Sequence, residues 1–155
     1  MVRFKNRWLL IEFIPCQSET STHEQLNAKA IWLALKQSVM TNFGDIGWGA
    51  ISTSLTVKYF SPTTNLCIIR VARDHHRIAW GAITLLTSIN GNHTIPHLVH
   101  LSGTIKHAQL AAIKHDREVI ARYRARSSEK MQTIRGHSYD EYLHQSEKEI
   151  EAIQD

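Results

Sequence analysis

Hydrophobic and polar positions alternate with a period of two over residues 7–14. Arg7, Leu9, Ile11 and Phe13 fall on one face, and Trp8, Leu10, Glu12 and Ile14 on the other. That rhythm predicts a strand, stopped by Pro15. The period then becomes helical: Ala28, Ile31, Trp32, Leu35, Val39 and Phe43 share one face. Ser21-Thr22-His23-Glu24 reads as a capping box ahead of it and Gly44 as its C-terminal cap, which predicts a helix of about five turns. Residues 44–49, with Gly47-Trp48-Gly49, read as a loop. Alternation returns as Ile51, Thr53, Leu55, Val57 and Tyr59 on one face against Ser52, Ser54, Thr56, Lys58 and Phe60 on the other. Residues 61–65 form a turn and residues 66–72 a second strand, so 51–72 reads as a hairpin.

Asp74 is the expected N-cap of a second helix. Its apolar stripe is Ile78, Ala79, Ala82, Ile83, Leu86 and Ile89, and Asn90-Gly91 is its expected end. Gly81 within it costs about 1 kcal/mol against Ala, which points to close packing there. Residues 97–104 read as a fourth strand and 107–125 as a long helix. The order β-α-β-β-α-β followed by a helix predicts an α+β, ferredoxin-like (RRM-like) sandwich over residues 1–126. Two helices cover one sheet face, and the other is open or covered by the last helix or a partner. Beyond Ser127 the composition changes. Residues 127–155 read as a charged C-terminal extension, helical or partly disordered, with Tyr139, Tyr142, Leu143, Ile150 and Ile153 at weak helical spacing.

Charge sharpens this picture. The 155 residues carry a formal net charge of only +4. Residues 1–137 hold 17 Lys/Arg against 8 Asp/Glu, so the body is near +9, while the tail sets Lys148 against six acids, near −5. The positives cluster at the head (Arg3, Lys5, Arg7) and from Lys106 onward (Lys114, Arg117, Arg122, Arg124, Arg126, Lys130, Arg135). Such a surface suits a polyanion, although lysines and arginines also simply solvate exposed helices. Cys16 and Cys67 make no disulfide framework and no Cys-x-x-Cys half-site, which favours a reduced intracellular compartment. Glu12 breaks the apolar run after the basic head, so no cleaved leader is expected, and no stretch reaches the roughly 18 apolar residues of a membrane span.

The chemistry-bearing motifs are few. Ser102-Gly103-Thr104-Ile105-Lys106 joins the fourth strand to the last helix, where a glycine, a helix N-terminus, hydroxyls and an ammonium form a candidate anion cradle; a plain glycine turn capped by Thr104 is the simpler reading. His97 and His100 differ by three on a presumed strand and are expected on opposite sides, so no metal site is expected from His93, His97 and His100. No nucleophile elbow, P-loop or dinucleotide fingerprint occurs, and no catalytic residue is assigned. Residues 65–71 lack the aromatics with which an RNA-recognition motif stacks bases. Trp8 is the single stacking candidate on the first strand, with burial the competing reading.

Met1-Val2-Arg3-Phe4-Lys5-Asn6-Arg7-Trp8-Leu9-Leu10 closely resembles the opening of the Pop-five family, small protein subunits of ribonuclease P and RNase MRP in eukaryotes with archaeal relatives. Val57-Lys58-Tyr59-Phe60 with Leu66-Cys67-Ile68-Ile69-Arg70 resembles its central hairpin, and Ser102-Gly103-Thr104-Ile105-Lys106 its strand-four signature. The resemblance spans about residues 1–126; Trp8 stands where an aromatic such as Tyr is usual. It implies a ferredoxin-like fold and a non-catalytic subunit that binds the catalytic RNA in precursor-tRNA 5′-leader removal and in rRNA processing. Mg²⁺ would belong to that RNA, with no cofactor on this chain. Implied partners are the two RNAs, a TIM-barrel-like subunit, a related small ferredoxin-like subunit and further complex subunits, in nucleus and nucleolus. Arg3, Lys5 and Arg7, then Ser102, Gly103, Thr104 and Lys106, match the family motifs and are the expected RNA contacts; Arg122, Arg124 and Arg126 are added on charge alone.

Two other classes remain. A small ferredoxin-like enzyme of acylphosphatase type would want a glycine-rich phosphate loop after the first strand, and residues 15–21 hold neither Gly nor Arg. A pure protein-interaction module would set the basic body against acidic proteins.

Overall fold

A computed structural model describes residues 5–16, 26–126, 133–134 and 137–154. The predicted capping box at Ser21 to Glu24 lies outside them. Along the chain come β1 (Asn6–Pro15), α1 (Ala28–Ile51), β2 (Thr56–Ser61) and β3 (Leu66–Ala72). A 3₁₀ turn at Arg73–His75 leads into α2 (His76–Thr84), followed by β4 (Ser88–Ile89), β5 (Asn92–Ser102) and α3 (Ile105–Arg126). Two short paired strands, β6 (Thr133–Ile134) and β7 (His137–Ser138), precede α4 (Tyr139–Glu151). The main sheet runs β2-β3-β1-β5-β4, antiparallel throughout.

The alternation along β1 sorts its side chains into two cores. Leu9, Ile11 and Phe13 meet Cys67, Ile69 and Val71 of β3 beneath α1 and α2. Trp8 and Leu10 meet Leu66 and Ile68 on the opposite face, with Ala108 and Ala112 of α3 and Ile150 of α4. Both faces of the central strands are therefore covered. Trp8 is 1% exposed, so it is a core residue and no platform for a base. Its roughly 150–250 Å² of aromatic surface is among the largest apolar contributions to that second core.

Several predicted boundaries move, each for a local reason. Gly44 has the positive φ of a C-cap (65°), yet the chain kinks there and continues as helix to Ile51. Residues 44–49 are thus helical, and β2 begins at Thr56. The helix starts later than expected, with the Asn27 side chain accepting from Ala30 N at 2.8 Å. Asp74 lies in the 3₁₀ turn and does not cap α2, whose N-cap is His75. That helix stops at Thr84. Asn90 and Gly91, with φ 50° and 79°, turn the β4–β5 hairpin, a role suited to residues that tolerate positive φ. The fourth predicted strand is β5 and starts five residues earlier, and the last helix starts at Ile105. Gly81 has its packing reason: a β-carbon there would stand 2.8 Å from Phe43 Cζ, so the glycine admits the ring of α1.

Two bulges re-aim side chains. Leu10 pairs His100 while Ile11 pairs Leu98, so Val99 is the extra residue. His97, opposite Glu12, and His100, opposite Leu10, therefore sit on the same sheet face, contrary to simple alternation. In β2 the register shifts across Lys58: Val57 packs in the first core and Tyr59 in the second, although alternation had put them together.

Candidate nucleic-acid interface

The antiparallel pairing of β1 with β5 sets the basic head against the predicted cradle. Trp8 pairs Ser102, which brings Arg7 beside the turn into α3. A β-carbon at Gly103 would stand 3.2 Å from Arg7 Nη1, so glycine lets the guanidinium lie against the turn. Arg7 is half-buried and Lys5 and Lys106 are exposed. Arg73 joins this end of the sheet, its N–H donating to Lys5 O at 2.8 Å. Arg3 lies outside the described residues.

The hydroxyls of the motif serve the turn itself. Ser102 is 4% exposed; its Oγ donates to Thr104 O at 2.7 Å and accepts from Thr104 N at 3.1 Å. Thr104 Oγ1 accepts from His107 N at 3.4 Å, a capping contact for α3. What this end offers an anion is therefore the guanidinium of Arg7, the ammonium groups of Lys5 and Lys106, and the positive end of α3.

Arg122, Arg124 and Arg126 are not brought to that end. They lie 16 to 20 residues further along α3, about 24–30 Å away at 1.5 Å per residue. Arg122 is exposed. Arg124 is already engaged: Nη2 donates to Asp140 Oδ1 at 2.5 Å, and the guanidinium lies 5.4 Å from the Tyr139 ring centroid. Arg117, in the sequence one of the clustered positives of α3, has a specific partner: it pairs with Glu147 of α4.

α4 is held on the body by a polar seam. Ser146 Oγ donates to Asp116 Oδ2 at 2.5 Å and lies 3.1 Å from Tyr59 Oη. Tyr142 Oη lies 2.6 Å from Ser61 Oγ. Burial pushes the Asp116 carboxyl above the usual carboxylate range, opposed by hydrogen bonds from Ser146 and Thr64 and by the charge of His115. Burial likewise raises Tyr59 and Tyr142. Gln109 Nε2 donates to the carbonyls of Ile150, Glu151 and Ile153 at 2.9, 3.2 and 3.1 Å, closing the C-terminal end of α4. No pattern of the local sequence announces these contacts, because each partner lies 30 or more residues away.

On the same face, Glu12 Oε2 lies 3.2 Å from His115 Nε2 and 3.7 Å from His97 Nδ1. Two rings thus share one carboxylate oxygen. Among the described residues no group of three or more His, Cys, Asp or Glu is placed to hold a metal ion. Among them, too, no helix is long and apolar enough to cross a membrane. Large apolar side chains stay exposed on α1 and α2: Leu33, Met40, Phe43, Ile46 and Trp80.

A family model described as Rpp14/Pop5 matches residues 7–113, from β1 to the middle of α3. The chain belongs to the Rpp14/Pop5 family. It is 39% identical over 127 residues to ribonuclease P/MRP protein subunit POP5 of Schizosaccharomyces pombe, a match covering 77% of this chain and 91% of that relative. It is 39% identical over 122 residues to the probable ribonuclease P/MRP protein subunit POP5 of Arabidopsis thaliana, covering 76% and 81%. A chain in the cryo-EM structure of yeast ribonuclease MRP superposes with a TM-score of 0.55 at 10% identity, covering 79% of this chain and 98% of that one, and speaks for the fold. The strand, turn and helix that join Arg7 to Gly103 and Lys106 lie inside the Rpp14/Pop5 match; α4 lies beyond it.

Proposed function

We infer that this chain is a POP5-type protein subunit of the ribonuclease P and RNase MRP ribonucleoproteins, contributing RNA binding and no cleavage chemistry of its own. The carrying observation is the Rpp14/Pop5 match over residues 7–113, together with 39% identity to a POP5 subunit across 91% of its length. Cleavage of precursor-tRNA leaders belongs to the RNA with its Mg²⁺, and the chain neutralises and shapes that RNA. The same reading gives residues 1–126 a ferredoxin-like topology, which the antiparallel order β5-β1-β3-β2 supports, with residues 127–155 as an appended acidic extension.

The RNA-facing end is Lys5 and Arg7 beside Gly103, Thr104 and Lys106; Arg3, two residues before Lys5 in the sequence, is an expected contact as well. Phosphate contacts there are sequence-independent and positional, in keeping with the burial of Trp8, the aromatic of β1 nearest that end. The exposed apolar side chains of α1 and α2 suit protein partners, a TIM-barrel-like and a small ferredoxin-like subunit among them, in nucleus and nucleolus.

Affinity purification of the full chain with sequencing of bound RNA tests the assignment; ribonuclease P and MRP RNAs are the expected species, and their absence overturns it. In vitro, changing Lys5, Arg7 and Lys106 together to Ala should weaken RNA binding. The salt dependence should flatten by roughly 0.7–0.9 units of log–log slope per lost phosphate contact. An unchanged slope refutes this placement of the interface.

A further inference from the structure

The acidic helix α4 lies antiparallel on α3 with matched charges. Arg117 faces Glu147 and Arg124 faces Asp140, both pairs seven residues apart on each helix. Two turns separate the members on either side, about 10.5 Å of rise, so the carboxylates and the guanidinia share one spacing. The side chains of Arg117 and Arg124 are 62% and 45% exposed, so solvent and a ligand reach them. These pairs lie on the rim, while the docking itself rests on the buried seam of Asp116, Ser146 and Tyr59 and on Ile150.

We propose that the α4-facing edge of α3 is a second phosphate-binding surface, distinct from the end formed by Arg7 and Lys106, and that Asp140 and Glu147 occupy it as built-in competitors of RNA. This rests on the RNA-binding reading above. A carboxylate accepting from a guanidinium stands where a phosphate oxygen would. Exposed ion pairs contribute little to stability, so the tail is held by its buried seam and the rim pairs are free to exchange partners. RNA that reaches Arg117 and Arg124 must displace two carboxylates and meets their negative charge. The tail thereby weakens non-specific binding to any polyanion and leaves the edge to an RNA already docked at the other end. Arg117 and Arg124, like α4, lie beyond residues 7–113, the stretch that the family model matches.

The test uses the full chain and a double-stranded RNA hairpin as probe, with affinity measured across a salt series. Asp140→Asn with Glu147→Gln keeps the size of both side chains and leaves the Ser146–Asp116 seam intact. Asp45→Lys, at an exposed position of α1, changes net charge by the same amount and serves as control. The rim variant should bind about fivefold tighter than wild type, the scale of two weak exposed pairs. Its salt slope should steepen by roughly 1.4 to 1.8, two phosphate contacts. The control should change affinity by less than about twofold, as expected for screened, distant charge. Adding Arg117→Ala and Arg124→Ala to the rim variant should abolish its gain. Equal behaviour of rim variant and control overturns the proposal while leaving the RNA-binding reading in place. Absence of RNA binding by every variant, wild type included, overturns both. A gain that survives loss of Arg117 and Arg124 assigns the effect to charge at large and overturns the second surface.

Discussion

Replacing Gln109 by Leu should loosen α4 without unfolding the sheet. Gln109 is 5% exposed and its Nε2 reaches three carbonyls at the end of α4, at 2.9, 3.1 and 3.2 Å. One amide nitrogen carries two hydrogens, so two of these bonds are strong at any moment. Each contributes about 1 kcal/mol net, and Leu fills a similar volume, so α4 docking should weaken by about 2 kcal/mol. That is roughly a thirtyfold rise in the population with α4 released. Native-state hydrogen exchange reads this by region. Amides of α4 should lose about thirtyfold of their protection, while those of β1 and β3, paired on both sides, keep theirs. The Lys148 to Ala152 hydrogen bond is a useful reporter because it closes the last turn of α4. Unchanged protection in α4 would refute the role given to Gln109. Equal loss in β1 and α4 would show that helix and sheet open as one unit, and would refute the separable layer.

Three further outcomes follow from buried groups. Trp8→Ala, emptying a site 1% exposed in the second core, should cost about 3–5 kcal/mol in urea unfolding; a loss under about 1 kcal/mol would contradict its burial. Asp116 is raised from 3.8 by burial, so its contribution is fully present below the unfolded value and is lost as pH rises through the folded one. Asp116→Asn, which still accepts from Ser146, should therefore match or exceed wild type in thermal stability at neutral pH, and that advantage should shrink on acidification; a large loss at neutral pH contradicts the sign. Cys67 is buried, with its thiol pushed up, and Cys16 is exposed. A thiol reagent should modify Cys16 alone in the native chain and Cys67 only after denaturation; rapid reaction at both would place Cys67 wrongly.

The candidate site was half legible before the fold was known. Arg7 and the Ser102 to Lys106 motif stand out as basic and glycine-bearing segments, and the family resemblance attached to the same residues. Their adjacency is decided by the Trp8–Ser102 register, which no local pattern encodes. The helix that carries Lys106 also carries Arg122 and Arg124, but sequence proximity on one helix is distance in space, and the two groups stand at opposite ends. Ser102, an expected RNA contact, has its hydroxyl engaged by the Thr104 backbone, a use that its place in the motif did not announce.

Sequence alone determined what depends on neighbours along the chain. The period-two alternation of Leu9, Ile11 and Phe13 against Trp8 and Leu10 defined a strand with two apolar faces, and the helical spacing of Ile31, Leu35 and Val39 defined a buried stripe. The charge split between body and tail was likewise readable by counting. Tertiary structure decided everything that depends on who sits opposite. Gly44 and Asn90-Gly91 carry the same local signal of positive φ, yet one kinks a helix and the other turns a hairpin, because packing downstream selects between them. The bulges at Lys58 and Val99 exchange faces that alternation had fixed. The acidic tail became a docked helix because Asp116, Gln109 and Tyr59, each far away in the chain, supply the partners its polar groups require once water is excluded.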